Sequence, residues 1–263
     1  MKTELIKIHN NRFFTHLEKF FDENTLKTIE FFHWNRRYEE DKELLEHQYY
    51  INDYYLFINR WKNLIKNGSV CLDIGAGNGN TTIPMSILNK NGKVLCFEPS
   101  QAFNQVLIPN LQINKCTNVL PFNIALMEQD GFFEFQYEVG MTNGGPSKYT
   151  SLFSIKTDGS GYAEKHYLPG LNFNNHYSEY VSDNVISFIK IDCEGYDLEV
   201  LNTILNLIKR DKPFIQIEWF GPRHQNILTW ALENKYKAYD IDNQELEVDI
   251  NYKKLDLLLK PII

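Results

Sequence analysis

The 263-residue chain is poor in several features that would assign a function at once. It has four cysteines, Cys71, Cys96, Cys116 and Cys193, and no C-x-x-C pair, which argues against a zinc ribbon. Three of them lie in apolar runs that read as strands, so buried free thiols and a reducing, cytoplasmic setting are expected. No apolar run reaches the roughly 18 residues of a membrane span. The first residues, Met1 to Lys7, mix charges without an apolar signal core. No Gly-Lys-Ser/Thr occurs, which excludes the usual phosphate-binding loop. A basic excess is also missing: 27 Lys and Arg face 34 Asp and Glu, for a net charge of -7. A nonspecific nucleic-acid binder needs a basic surface to release counterions, so nucleic acid is a disfavoured partner. There is no internal repeat and no low-complexity linker.

What is present is an ordinary globular composition, 43% hydrophobic and 23% charged, long enough for one large α/β domain or a core with an appendage. Aromatic residues crowd the first sixty positions. Phe13, Phe14, Leu17, Phe20 and Phe21 recur at helical spacing, as do Tyr54, Tyr55, Ile58, Trp61 and Leu64. Residues 1–66 therefore read as an N-terminal helical region, expected to be a cap on a sheet edge. A dimer surface and a lid over an active site are the functional alternatives.

From residue 67 to 263 the pattern changes to short apolar runs alternating with helical segments. That alternation implies βαβ units and a parallel sheet. The strand candidates are Ser69–Asp73, Lys93–Glu98, Val119–Asn123, Ser187–Asp192 and Phe214–Glu218, with Ala238–Ile241 and Lys254–Leu259 as last strands. Helices are expected over Thr82–Asn89, Ala102–Asn114, Leu198–Lys209 and Gln225–Asn234. Phe132–Tyr137 alternates as an added antiparallel strand would. The stretch from about 140 to 185 has little periodicity and is too long for a simple connection, so it reads as a substrate-loop insertion.

The first motif is Asp73-Ile-Gly75-Ala76-Gly77-Asn78-Gly79, between a strand and a helix. Glycines let a backbone turn tightly and approach a ligand closely. Asp73 can fix the loop through backbone amides or meet a cofactor ammonium. The spacing differs from the G-x-G-x-x-G of nicotinamide sites. The second motif is Glu98-Pro99-Ser100, with Glu98 nineteen positions after Gly79. Rossmann-like sites place an acid about 20 residues on, where its two oxygens accept both ribose hydroxyls. Together the two motifs point to S-adenosylmethionine. Thr81 follows the glycine loop and joins the candidate cofactor set. Asn123-Ile-Ala125-Leu126 reads as the tip of the third strand, where Asn123 can bond adenine edges and Ala125 leaves room for the ring.

Asp192, Glu194 and Asp197 fall within six positions at a strand end, and the next strand ends in Glu218. Adjacent strand tips would bring Asp192 and Glu218 together. Two nearby carboxylates can hold a divalent cation, or one can act as a general base. His166, His176 and His224 read as loop histidines, with His224 the preferred base candidate because it follows Glu218 closely.

These blocks together resemble the FkbM family of methyltransferases. The matching residues are Val70–Gly79, Gly92–Pro99, Asn123–Leu126, Phe188–Leu201 and Pro213–Glu218, and Lys190-Ile-Asp192-Cys-Glu194-Gly195 is the most distinctive. The glycine block here reads Gly-Ala-Gly-Asn-Gly where the family commonly has Gly-Ala-Asn-x-Gly. The resemblance implies a Rossmann-like seven-stranded sheet, mostly parallel with an antiparallel last strand. It implies methyl transfer from S-adenosylmethionine, usually to an oxygen of a small molecule or a glycan sugar. It places Asp73, Gly75, Gly77, Glu98, Asn123 and Asp192 around the cofactor, and Ser151 in a small polar stretch after the added hairpin. An alcohol acceptor must also lose a proton as it attacks. Asp192, Glu218 or His224 is expected to take it, or a divalent cation held by Asp192 and Glu218 lowers the hydroxyl pKa. The alternatives are a ribose 2′-O or other nucleic-acid methyltransferase and a non-catalytic cofactor-binding scaffold.

Overall fold

Strands that are buried along their whole length form the centre of this protein. The computed structural model describes residues 3–7, 14–23, 27–34, 49–138, 163–219, 225–240 and 256–262. The chain forms two compact units, Met1–Phe122 and Asn123–Ile263.

The first unit opens with three antiparallel strands, β1 (Thr3–Lys7), β2 (Phe14–Asp22) and β3 (Lys27–Trp34). Phe20 faces Ile29 and Leu17 faces Phe32 across β2 and β3. The helical reading of this segment is therefore corrected. On β2 the buried positions are Glu18, Phe20 and Asp22, a period of two. Two of those three are polar, so the apolar residues alone mimicked a helix. Asp22 is fully buried and accepts hydrogen bonds from the hydroxyls of Tyr54 (2.8 Å) and Tyr55 (3.3 Å). Those tyrosines belong to α1 (Tyr49–Trp61), where the expected helix is found.

Three parallel strands follow: β4 (Val70–Ile74), β5 (Lys93–Phe97) and β6 (Val119–Phe122). Every residue of β4 is buried, as is β5 beyond Lys93. Such near-continuous apolar runs, interrupted in β4 by the buried Asp73, are what a parallel sheet covered on both faces requires. Helices α2 (Thr82–Leu88) and α3 (Gln101–Ile113) connect them. Asn89, buried after α2, accepts from the Gly68 N–H (2.9 Å) and donates to the Ser69 and Lys93 carbonyls (2.9 and 3.0 Å). It locks the lower ends of β4 and β5 together.

The second unit begins with a three-stranded sheet of β7 (Ala125–Leu126), β8 (Gly131–Glu138) and β9 (Ala163–Leu171), in the order β7-β9-β8. The expected antiparallel strand at 132–137 is β8, paired to β9. Ala125 and Leu126 do not end the third strand; they pair in parallel with Gly170 and Leu171. The span 140–185 is not wholly irregular either, since it contains all of β9 and all of α4 (Phe173–Tyr180). Then come β10 (Ile186–Ile191), α5 (Asp197–Thr203), α6 (Leu205–Asp211), β11 (Phe214–Glu218), α7 (Gln225–Glu233), β12 (Tyr236–Asp240) and β13 (Asp256–Pro261). One helix was expected over 198–209. The Thr203 hydroxyl donates to the Val200 carbonyl (2.8 Å), and the helix breaks at the next residue.

The seven-stranded sheet has the order β12-β13-β11-β10-β4-β5-β6. Its β10–β11, β4–β5 and β5–β6 pairs are parallel, and β13 runs antiparallel to both β11 and β12. This is the expected mostly parallel sheet with an antiparallel last strand. The compact units divide after Phe122, whereas the change of pattern near 66/67 marks the start of the βαβ region. Among the described residues no helix is long and apolar enough to cross a membrane.

Candidate functional site

In the first unit the glycine loop leaves β4 and is held by backbone and side chains alike. The N–H groups of Gly75 and Ala76 donate to the Phe97 carbonyl (2.9 and 3.1 Å). The Gly77 N–H donates to Glu98 Oε2 (2.7 Å), and Glu98 Oε1 accepts from the Ser100 N–H (2.8 Å). Glu98 is 6% exposed, so its side chain is held in place and is not a solvated loop residue. Ser100 caps α3 by accepting from the Phe103 N–H (3.2 Å), which sets the Glu98–Pro99–Ser100 turn.

Gly77 has φ of +54°, and a Cβ built on it meets nothing within 4 Å. The backbone here borders open space, with the held Glu98 side chain beside it. Glycine backbone and a neighbouring acid are the groups that a nucleoside cofactor requires. Gly79 differs: at φ +92° its Cβ would lie 2.9 Å from Leu107 Cδ1, so its lack of a side chain serves packing. Asp73 is fully buried and accepts from the hydroxyls of Thr81 (2.9 Å) and Thr82 (2.5 Å). These hydroxyl contacts fix the strand to the start of α2. Thr81 is itself buried, so its hydroxyl belongs to this lock.

In the second unit the acids gather at the ends of β10 and β11. Ile191 pairs with Ile217, so Asp192 and Glu218 follow on neighbouring strands. Lys190, 4% exposed, reaches Asp192 Oδ2 at 2.8 Å. Asp197 is buried at the start of α5 and accepts from the N–H groups of Cys193 (2.9 Å) and Gly195 (3.0 Å). Glu194 and Gly195 both have positive φ, 55° and 96°, which folds the turn around that carboxylate. Glu218 is pushed up to about 10 by burial first, then by Asp192, Asp197 and Glu194, with Lys190 opposing. Glu194 is pushed up to about 7 by crowding against protein atoms, then by Asp192 and Asp197. At neutral pH the cluster therefore keeps a proton on Glu218.

Other expected residues fall elsewhere. Asn123 is exposed, just before β7, and Ala125 is buried within β7. His166 and His176 are not on loops. His166 lies on β9 opposite Phe135, and His176 lies on α4 with Nε2 2.8 Å from Asp130 Oδ2. That bond raises the His176 pKa and lowers that of Asp130. Ser151 and His224 lie outside the described residues. Among the described residues, no three His, Cys, Asp or Glu side chains form a metal-binding group. Sequence reasoning missed Thr82, Asn89 and Asn110. Asn110, in the otherwise apolar run Val106 to Leu111, carried a signal: a polar residue on the buried face of a helix needs a partner.

The sheet order, with an antiparallel final strand and a glycine loop after its first parallel strand, is that of the Rossmann-like methyltransferase fold. The chain belongs to the FkbM methyltransferase family, whose domain model matches residues 73–238. It is an S-adenosylmethionine-dependent methyltransferase of that family. Solved structures similar to it include methyltransferase FkbM from Methylobacillus flagellatus (15% identity, TM-score 0.49), covering 82% of this chain and 50% of that one. This chain thus spans half of that protein. An rRNA methylase from Streptococcus thermophilus is 14% identical with a TM-score of 0.46, covering 78% of this chain and 94% of that one. A Streptococcus mutans protein described as a methyltransferase, solved with SAH, is 15% identical with a TM-score of 0.44, covering 79% and 97%. No curated protein sequence matches the chain.

Proposed function

We propose that the protein transfers the methyl group to a hydroxyl of a saccharide or another small molecule. The observation that carries this reading is the acid cluster at the ends of β10 and β11, with Asp192 held by a buried lysine. When bound, S-adenosylmethionine supplies an electrophilic methyl on a sulfonium. The glycine loop and Glu98 bind and orient the nucleoside, Glu98 by accepting from the ribose hydroxyls. An alcohol oxygen forms its new bond to carbon as the carbon–sulfur bond breaks, and the hydroxyl proton must leave. Asp192 takes that proton. Lys190 holds its carboxylate in one orientation, which limits the reorganisation needed for proton transfer. Glu218 carries a proton at neutral pH and serves as a hydrogen-bond donor towards the acceptor. His224 remains a second candidate base.

A divalent cation on Asp192 and Glu218 is the competing route, because it would lower the hydroxyl pKa without a base. Chelation separates the two: the proposal expects turnover to survive it. The same carboxylates would repel a polyphosphate backbone, which favours a neutral acceptor over nucleic acid. The four free thiols suit a reducing compartment such as the cytoplasm. The test is mass spectrometry after incubation with S-adenosylmethionine and a panel of glycans and small alcohols. A product heavier by one methyl on oxygen is expected. Methylation confined to nitrogen, or to RNA, would overturn the proposal.

A further inference from the structure

Helix α3 carries two asparagines four positions apart, Asn110 and Asn114, and so on one face. Strand β3 ends its sheet, which leaves one side of its backbone without a strand partner. The asparagines cover that side. Asn114 accepts from the Glu30 N–H (3.0 Å) and donates to the Glu30 carbonyl (2.6 Å). Asn110 accepts from the Phe32 N–H (2.7 Å) through Oδ1. Side-chain amides thus stand in for the peptide groups of a fourth strand.

Asn110 does one thing more. Its Nδ2 donates to the carbonyl of Asn78, inside the glycine loop, at 2.8 Å. Asn110 is fully buried, and a donor and an acceptor at opposite ends of its amide fix its orientation. The peptide joining Asn78 to Gly79 is planar, and its other end is fixed too, since the Gly79 N–H donates to the Ala76 carbonyl (2.9 Å). Leu107, one turn earlier on α3, fills the space under Gly79. The loop that borders open space at Gly77 is therefore held from below by α3, and through Asn110 by β3.

We propose that Asn110 is a positioning residue for the cofactor loop, coupling the edge strand of the N-terminal sheet to S-adenosylmethionine binding. The proposal rests on the glycine loop being the cofactor cradle. Without Asn110 the Asn78 carbonyl and the Phe32 N–H lose a buried partner, and the Asn78–Gly79 peptide can rotate. Asn114 bonds to Glu30 of β3 and, within its own helix, donates to the Asn110 carbonyl (2.8 Å), but bonds to no loop atom among the described residues, and is the matched control.

The experiment is calorimetric titration of S-adenosylmethionine into the wild-type chain, Asn110→Ala and Asn114→Ala, with Tm recorded for each. Asn110→Ala should raise Kd about tenfold, the worth of one or two buried hydrogen bonds. Its kcat at saturating cofactor should change much less. Asn114→Ala should lower Tm and leave Kd within about twofold. Equal Kd shifts in both variants, or a lower Tm with unchanged Kd in Asn110→Ala, would overturn the coupling. If Asn110→Ala does not fold, hydrogen exchange in the wild-type chain decides. Coupling is reciprocal, so cofactor should slow exchange at the Phe32 amide at least about threefold. No change there would reject the proposal. A wild-type chain that binds no S-adenosylmethionine would instead fail the cradle reading itself.

Discussion

The glycine loop of the first unit and the acid cluster of the second meet opposite physical problems. In the loop, Glu98 accepts from two backbone N–H groups, those of Gly77 and Ser100. In the cluster, carboxylates crowd one another with Lys190 as the cation recorded among them, and Glu218 responds by keeping a proton. An acid held by backbone N–H groups is suited to recognition, because its oxygens keep one orientation. A crowded set of acids is suited to proton transfer, because small changes in charge move protons. Under the proposed function, binding falls to residues of one unit and proton transfer to residues of the other.

The largest expected effect falls on turnover. Asp192→Asn should lower kcat at saturating cofactor by about 100-fold, the low end for general-base catalysis. A loss of only a few-fold would move the base to His224. Next, Glu98→Ala should weaken cofactor binding by about 100-fold, since two charge-assisted acceptor bonds are worth roughly 3 kcal/mol. The third effect is a split between two glycines. Gly77→Ala should weaken binding about tenfold, by placing a methyl in the open space at a positive φ. Gly79→Ala should chiefly lower Tm, because its Cβ meets Leu107. If both act alike, the open space at Gly77 is not a binding surface.

The smallest effect concerns pH. Glu194 and Glu218 have raised values, so the folded chain holds their protons more tightly than the unfolded chain. Their stabilising contribution is complete below the ordinary value of 4.5. It is lost as pH rises through about 7 for Glu194 and about 10 for Glu218. Between those two values the Tm of wild type should fall more steeply than that of Glu218→Gln, by a few degrees. Parallel slopes would show that Glu218 does not hold a proton.

The sequence made the cradle legible for a physical reason. Buried parallel strands such as β4 and β5 are largely apolar runs, with the glycines following β4 and Glu98 following β5. The N-terminal sheet was hidden because Glu18 and Asp22 occupy inward positions of β2, where an apolar residue would have shown alternation. Strand β9 was hidden because Pro169 and Gly170 resemble a turn. Gly170 is small because Phe133 and Met127 press on it, each within 2.5 Å of where a Cβ would stand. Asn110 escaped notice because its partners, Phe32 and Asn78, are remote in sequence.

The division of labour is tested most directly by titrating S-adenosylmethionine into wild type, Glu98→Ala and Asp192→Asn. The family resemblance places Asp192 near the cofactor, so this comparison also separates its two possible roles. Wild type should bind, Glu98→Ala should lose about 100-fold in affinity, and Asp192→Asn should bind within about threefold of wild type. An equal loss of affinity in Asp192→Asn would contradict the account, because the acid cluster would then be part of the cradle and not the site of proton transfer.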